Sequence, residues 1–159
     1  MRNLREINLN EGGTFVNRLP PTSEQITFVE NLIEAKLPAP YLELLQFSNG
    51  GHPELDTFYY KSNDIQQHWN IDKFFHISFD TNDMYDVVWN YNHRWNNANK
   101  HIVPIAQNGG GDLFCLDLSE NGKGRIIVWI HDDPEISLLE VANSFEALID
   151  ELILNPDYI

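Results

Sequence analysis

The stretch at 102–133, IVPIAQNGGGDLFCLDLSENGKGRIIVWIHDD, contains three apolar runs separated by two glycine-rich breaks. The last run, IIVWI at 126–130, consists of β-branched and aromatic residues, which favour strands. The breaks at 108–112 and 119–124 contain Asn and Gly, which tolerate the positive φ that tight hairpin turns require. The stretch therefore predicts a meander of three antiparallel strands.

The three glycines at 109–111 also invite comparison with a phosphate-binding loop. Such a loop opens a helix whose N-terminus faces the anion, usually with a lysine nearby. Here an apolar strand-like run follows, and the carboxylate of Asp112 would repel phosphate. We interpret the glycines as turn residues.

Two patches of the sequence match a known family pattern. The first consists of Pro104-Ile105-Ala106, the glycine loop with Asp112, Phe114-Cys115-Leu116-Asp117, Gly122-Lys123-Gly124 and Val128-Trp129-Ile130-His131-Asp132. The second is Leu37-Pro38-Ala39-Pro40-Tyr41-Leu42, running into Phe47-Ser48-Asn49-Gly50-Gly51. Together with a C-terminal helix at Phe145, these patches resemble the SUKH superfamily (SMI/KNR-like) over roughly 26–152. That family includes many bacterial immunity proteins.

The size and composition of the chain suit one domain over residues 1–159. Cys115 is the only cysteine, so an internal disulfide is excluded, and its position in an apolar run predicts a buried, unreactive thiol. The N-terminus has no apolar signal region, and no segment approaches the length of a membrane span. These features predict a cytoplasmic protein.

The chain is strongly acidic, with 24 Asp and Glu against 10 Lys and Arg and a formal charge of -14. No Lys or Arg follows Arg125. Nucleic acids and anionic membranes bind proteins largely through Lys and Arg, so both are disfavoured as partners. A basic protein partner is favoured, although the same charge also serves simply to keep a domain soluble.

Two helices are expected before the sheet, after a loose or strand-like leader at 1–20. Thr22 and Gln25 fit a capping box, and apolar residues recur at helical spacing until Pro38. A second helix is predicted from about Pro40, ending at Asn49-Gly50-Gly51.

The middle and the end of the chain supply further elements. Strands are predicted at 57–60 and, from the alternation of apolar and polar residues, at 75–79; the polar segment 62–73 is weakly determined. A helix is predicted at 84–95, with Thr81 or Asn82 as its N-cap. A short strand at 136–141 and a helix capped by Asn143 or Ser144, ending at Asn155-Pro156, follow the meander. The sum is an α+β fold: a mostly antiparallel sheet of about five or six strands with helices packed on one face.

The six histidines do not form the paired pattern of a zinc protease. His131, followed by Asp132 and Asp133 at a strand end, offers ligand types for a metal, but a polar turn is the simpler interpretation. We predict no metal site and no cofactor. The acidic group at 80, 83 and 86 lacks the spacing of a calcium loop and is interpreted as the charged start of a helix.

No serine lies in a nucleophile-elbow pattern, and no pair of acids is singled out as catalytic. We therefore predict that the protein is not an enzyme. A small acidic hydrolase remains a third class, which would require a metal or measurable turnover.

The resemblance implies an immunity protein that binds and neutralises a cognate bacterial toxin by stoichiometric occlusion, as in contact-dependent and polymorphic toxin systems. A basic nuclease or another cytosol-acting toxin would complement the acidic charge. A regulatory or interaction module of the same fold is the alternative. Acids at turns and strand ends in stretches poor in basic residues are the candidate partner-binding residues: Glu54, Asp56, Asp112, Asp132, Asp133 and Glu135. The oligomeric state is not predicted.

Overall fold

The computed structural model describes residues 1–11, 14–15, 18–62, 65–80, 82–95, 99–133 and 138–158. The helices are α1 (Ser23–Ile33), α2 (Ala39–Phe47), α3 (Val87–Asn90) and α4 (Phe145–Glu151), with a π-helical segment at Tyr91–Trp95 and 3₁₀ turns at Leu4–Ile7 and Pro156–Tyr158. The strands are β1 (Leu9–Glu11), β2 (Thr14–Phe15), β3 (His52–Pro53), β4 (Leu55–Ser62), β5 (Ile65–Asn70), β6 (Lys73–Phe74), β7 (Ile102–Gln107), β8 (Leu113–Asp117), β9 (Arg125–Trp129), β10 (Leu139–Ala142) and β11 (Ile153–Leu154). The α+β class is confirmed.

The central sheet has five antiparallel strands in the order β10-β9-β8-β7-β6. Its middle, β7 to β9, is the predicted meander. Gly111 has φ +93 and Gly124 has φ +86, values that glycine adopts without steric cost. The turn interpretation of both glycine-rich breaks is therefore confirmed.

Both faces of the central sheet are covered, which explains why all five residues of β8 are buried. On one face the Phe114 ring lies 5.8 Å from Phe58 and 6.1 Å from Trp69, so the smaller sheet β11-β4-β5 packs there. Leu113 and Trp129 are cross-strand partners and point to the opposite face from Phe114. There Trp129 lies 6.2 Å from Trp95 of the π-helical segment.

The predicted helix starts are largely confirmed. Thr22 and Gln25 form the capping box of α1. Ser144 caps α4 by accepting a hydrogen bond from the Ala147 N–H at 3.1 Å. The Tyr41 and Phe145 rings meet edge to face at 5.4 Å, which joins α2 to α4.

Of the two interpretations of the leader, loose or strand-like, the strand-like one is confirmed for its described residues. Leu4, Ile7 and Leu9 are buried in the same apolar cluster as the sheet residues. β1 pairs with both β2 and β3, so the leader belongs to a third small antiparallel sheet.

The prediction of a half-buried strand at 75–79 is wrong. The strand there, β6, ends at Phe74, and His76 is buried at 0% exposure where the alternation predicted an outward side chain. His76 bonds through its backbone to Tyr85 and Val87, while the backbone of Ile77 bonds to the Asn49 side chain. These long-range bonds replace strand pairing.

The polar segment before it forms a strand that the sequence did not indicate. β5 pairs with β4 in regular antiparallel register, from Thr57 opposite Asn70 to Ser62 opposite Ile65. The apolar partner strand sets its conformation, since its own residues 66–68 are exposed and polar.

The helix predicted at 84–95 begins later than expected. Asp86 is its N-cap, in place of Asn82, and Thr81 lies outside the described residues. Met84 precedes the helix and is 53% exposed. The second half of the segment is π-helical rather than α-helical.

The end of the chain is close to expectation. The strand predicted at 136–141 overlaps β10, which runs one residue further, and residues 136 and 137 lie outside the described residues. The final helix ends at Glu151 rather than at Asn155-Pro156, because the short strand β11 follows it. Cys115 is fully buried as predicted, and burial raises the pKa of its thiol. Among the described residues, none of the helices combines the length and apolar character that crossing a membrane demands.

Candidate functional site

Asp112, His131 and Asp132, named here the surface cluster, meet where the β7–β8 loop approaches the end of β9. Their ligand-capable atoms all lie within 4.8 Å of one another. The His131 ring donates from Nδ1 to Asp112 Oδ1 at 2.7 Å, and the His131 backbone N–H donates to the same oxygen at 3.2 Å. The pairing of Leu113 with Trp129 brings these residues together, because the positions just outside that pair become neighbours.

Asn108 organises the glycine loop that carries Asp112. Its side-chain oxygen accepts from the backbone N–H groups of Gly110 at 3.0 Å and Asp112 at 2.8 Å. Its amide nitrogen donates to Asp112 Oδ2 at 3.0 Å. The loop connects β7 to β8 and opens no helix, which agrees with the predicted strand after the glycines.

Arg94 holds the same loop from the helical side of the sheet. Its guanidinium donates to Gln107 Oε1 at 2.8 Å, to Asn90 Oδ1 at 3.1 Å and to the carbonyl oxygen of Gly111. Sequence reasoning gave Arg94 no structural role. Its isolation as the one Lys or Arg between Lys73 and Lys100 was the available signal.

Asp112 is held as a carboxylate. Partial burial favours the neutral acid, but hydrogen bonds from His131 and Asn108 outweigh that effect, so the pKa of Asp112 lies below its ordinary value. The His131 side chain is 43% exposed, against 15% for Asp112. The surface cluster therefore presents a fixed anion beside an accessible imidazole.

The ligand types of the surface cluster suit a divalent metal, yet its membership differs from the one considered from sequence. Asp112 takes the place of Asp133 beside His131 and Asp132. All three residues are partly or largely exposed, and Nδ1 of His131 is engaged by Asp112. The absence of a metal stays a prediction.

The other candidate residues lie elsewhere. Glu54 follows β3 and accepts a hydrogen bond from Asn8 Nδ2 at 2.6 Å, and Asp56 in β4 accepts from Thr57 Oγ1 at 2.8 Å. Both lie outside the central sheet that carries Asp112. Asp133 adjoins the surface cluster in sequence, and Glu135 lies outside the described residues. The structure thus brings together two of the six candidates, Asp112 and Asp132.

At least four of the ten Lys and Arg side chains form ion pairs with carboxylates among the described residues, and acids remain in excess over the chain. Such pairs join Arg2 to Glu6, Lys36 to Glu30, Lys100 to Glu34 and Arg125 to Asp117. Each of these contacts neutralises one carboxylate, while the formal charge remains -14. An unbalanced acidic surface of this kind attracts basic partners.

A second histidine site lies beneath the surface. His76, Asp83 and Asp86 form what we name the buried cluster, in which the His76 ring lies 2.6 Å from Asp83 Oδ2 through Nε2. Asp86 is 1% exposed and accepts from the N–H groups of Ser78, Val88 and Trp89. The interpretation of this acidic group as a helix start is thereby confirmed for Asp86.

The comparisons with known proteins agree with the architecture. Among curated proteins no match was found. The family model of the SMI1 / KNR4 family (SUKH-1) matches residues 20–151, which covers most of the chain, including α1, α2, the complete central sheet and α4. The chain belongs to the SMI1 / KNR4 family (SUKH-1).

Proposed function

We propose that this protein is an immunity protein that binds a cognate, basic bacterial toxin in the cytoplasm and neutralises it by occluding its working surface. The membership in the SUKH-1 family, which supports an immunity-type domain, carries the proposal. The acidic charge supports the same role, because a toxin that acts on nucleic acid exposes Lys and Arg for that substrate. Neither catalysis nor a cofactor is part of the proposed mechanism.

The surface cluster is the proposed electrostatic part of the interface. Asp112 is held ionised in a loop braced by Arg94 and Asn108, and Asp132 stands exposed beside it. Charges fixed before binding lose less conformational entropy when a partner docks. Asp133, Glu54, Asp56 and Glu135 are the further candidates for this interface.

The first experiment is a pull-down with the full chain as bait, from lysates of its own organism and of close relatives, washed at low and high salt. Stoichiometric retention of one basic protein that is toxic when expressed alone, and harmless when co-expressed with the bait, supports immunity. Recovery of housekeeping proteins only favours the alternative of an interaction module. Recovery of nothing at either salt counts against both.

The second experiment locates the interface on the captured toxin. Reversal of Asp132 and Asp133 to Lys should weaken toxin binding about tenfold at low salt and less at high salt, because salt screens exposed charges. The matched control is Glu43→Lys with Glu120→Lys, which makes the same charge change at exposed positions on α2 and on the β8–β9 turn. Equal weakening by both pairs would reduce the effect to net charge and remove the surface cluster from the interface.

A further inference from the structure

A groove lined by aromatic side chains opens between α1, the segment before α3 and α3 itself. Its volume is about 280 Å³, and its walls include Phe28, Phe79, Val88, Trp89, His93 and Asp80. We name it the aromatic groove. Phe28 is 50% exposed and Phe79 is 40% exposed, although both are large apolar rings. Contiguous exposed apolar patches rimmed by polar residues can mark binding surfaces.

The rings of the aromatic groove are held in place before any partner arrives. Phe28 and Phe79 pack edge to face with centroids 4.9 Å apart. Trp89 and His93 stack with centroids 4.7 Å apart, and the His93 ring bonds to the Trp89 carbonyl at 3.0 Å. The groove therefore offers a shaped apolar wall rather than loose side chains.

Phe79 has φ +60, a left-handed conformation that a bulky residue rarely adopts. The strain is maintained by Asp86, whose carboxylate accepts from the Ser78 N–H at 2.8 Å and also caps α3 at Val88 and Trp89. One buried carboxylate thus fixes the Phe79 side of the groove relative to the Trp89 side. Strained backbone of this type persists where the surrounding structure enforces it, commonly at functional sites.

The aromatic groove continues along α1. A second depression of about 380 Å³ shares Phe28 as a wall and is lined further by Glu24, Thr27 and Asn31. Glu24 and Asp80 add carboxylates to the two depressions, and among their described lining residues there is no Lys or Arg. The two depressions together form an apolar slot with acidic flanks.

We infer, on the basis of the proposed protein-binding function, that the aromatic groove receives a segment of the partner protein. This segment inserts an aliphatic or aromatic side chain between the packed Phe28–Phe79 pair and Trp89, and it carries Lys or Arg beside that side chain. The inserted side chain matches the apolar wall, and the cations match Glu24 and Asp80. The groove supplies the anchor that resists dissociation, while the surface cluster supplies the charge that speeds association. One helical segment, α3 with its π-helical extension, connects the aromatic groove to the surface cluster. Trp89 and His93 of this segment line the groove, and Arg94 holds the Asp112 loop.

The test begins with a displayed library of random dodecapeptides selected against the full chain. Enriched peptides should share an apolar residue flanked by Lys or Arg, and a fluorescent synthetic copy should bind less tightly as salt rises. Phe28→Ala and Phe79→Gly should each weaken that peptide about tenfold. Phe79→Gly removes the ring while relieving the left-handed backbone, so loss of folding does not confound it.

Phe47→Ala is the matched control, since Phe47 is a ring 45% exposed on α2 that lines neither depression. It should leave the peptide affinity within about twofold of the wild type. Asp80→Lys should weaken binding more at low salt than at high salt. Failure to enrich peptides, enrichment of acidic peptides, or equal effects of Phe28→Ala and Phe47→Ala would overturn the assignment.

The captured toxin separates this inference from the immunity proposal. If Phe28→Ala and Phe79→Gly bind the toxin as tightly as the wild type while cells stay protected, the groove assignment falls and immunity stands. If groove-dependent peptides are found but no toxin is captured, immunity falls and the groove assignment stands.

Discussion

Two histidine–carboxylate pairs of nearly equal length lie in contrasting environments of the protein. His131 and Asp112 lie 2.7 Å apart at the surface, with the His131 side chain 43% exposed. His76 and Asp83 lie 2.6 Å apart, with the His76 side chain only 1% exposed. The distances alone would assign both pairs the same role. Their burial separates a contact available to a partner from one that holds the fold together.

The surroundings of the buried histidine favour its neutral form. Burial lowers the pKa of His76, and the nearby charge of Arg18 lowers it further, which together outweigh the opposing effect of Asp83. A neutral ring with its proton on Nε2 donates to Asp83 and leaves Nδ1 as an acceptor. Nδ1 has no hydrogen-bond partner among the described atoms, so protonation there would bury an unsatisfied donor.

The ionisation of Asp83 agrees with a neutral His76 that donates from Nε2. Its partial burial favours the neutral acid, yet the Tyr85 N–H and the His76 ring both donate to its oxygens and lower its pKa. A neutral His76 that donates from Nε2 gives Asp83 a hydrogen bond and leaves its own Nδ1 unpaired among the described atoms. The comparison teaches that the buried pair is a neutral donor with an ionised acceptor, whereas the surface pair keeps an imidazole that solvent and partners can reach.

Removal of a carboxylate tests the contrast most strongly. Asp86→Ala should lower the free energy of unfolding by about 3 kcal/mol, because it removes the α3 cap and leaves partly buried N–H groups of Ser78 and Val88 without acceptors. Asp112→Ala in the surface cluster should cost about 1 kcal/mol, since water can reach the groups that it frees. Urea unfolding of both variants measures the difference. Equal costs would show that the two clusters play the same structural role.

Arg94→Lys should have the next largest effect on the free energy of unfolding. A lysine cannot donate to Asn90, Gln107 and Gly111 together, and we expect a loss of about 1–2 kcal/mol in the free energy of unfolding. Lys36→Arg is the control, because Lys36 pairs with Glu30 from a largely exposed position and should change stability by less than about 0.5 kcal/mol. An unchanged free energy of unfolding in Arg94→Lys would mean that the Asp112 loop is stable without the hydrogen bonds of the Arg94 guanidinium.

The pH dependence of stability should reveal the buried histidine. Since the folded pKa of His76 lies below its ordinary value of 6.5, the unfolded chain binds a proton first as pH falls. The contribution of His76 is therefore present above about pH 6.5 and is lost as pH falls from there through the lower, folded-state pKa. Urea unfolding at several pH values should show a shallower decline in His76→Asn than in the wild type.

His68→Asn is the control for that experiment, because His68 is exposed in β5. It should keep the wild-type decline, which would assign the change in His76→Asn to the buried ring. An identical pH profile in His76→Asn and the wild type would contradict a neutral, buried His76.

Asp132→Lys should have the smallest effect on stability. Asp132 is exposed, and its replacement should change the free energy of unfolding by no more than about 0.5 kcal/mol. Thermal or urea unfolding checks this directly. A loss well beyond that range would make Asp132 a structural member of the loop rather than a residue free to meet a partner.

The features that the sequence predicted correctly are those set by local chemistry. The meander follows from strand-forming runs and from glycines whose positive φ is required at their own positions. The caps at Thr22 and Ser144 depend on residues three positions away. Asp112 could be proposed because it ends a turn, and the hairpin register then supplies His131 as its neighbour.

The errors lie where distant residues decide the local backbone. The segment at 75–79 alternates like a strand, but its polar groups bond to Asn49, Tyr85 and Val87. The helix expected from Met84 starts only at Asp86, because that carboxylate is fixed by Ser78 on one side and by α3 on the other. Arg94 and the aromatic groove could not be recognised for the same reason, since their contacts join elements far apart in the sequence.

Because Cys115 is buried, the reactivity of its thiol reports how often the central sheet opens. This sole cysteine is 0% exposed in β8, a strand paired on both sides. A thiol reagent reaches the sulfur only when the centre of the sheet separates, so the rate of labelling under native conditions measures how often the sheet opens. A partner that binds only the folded state would slow that labelling as its concentration rises above its Kd, without any substitution in the chain.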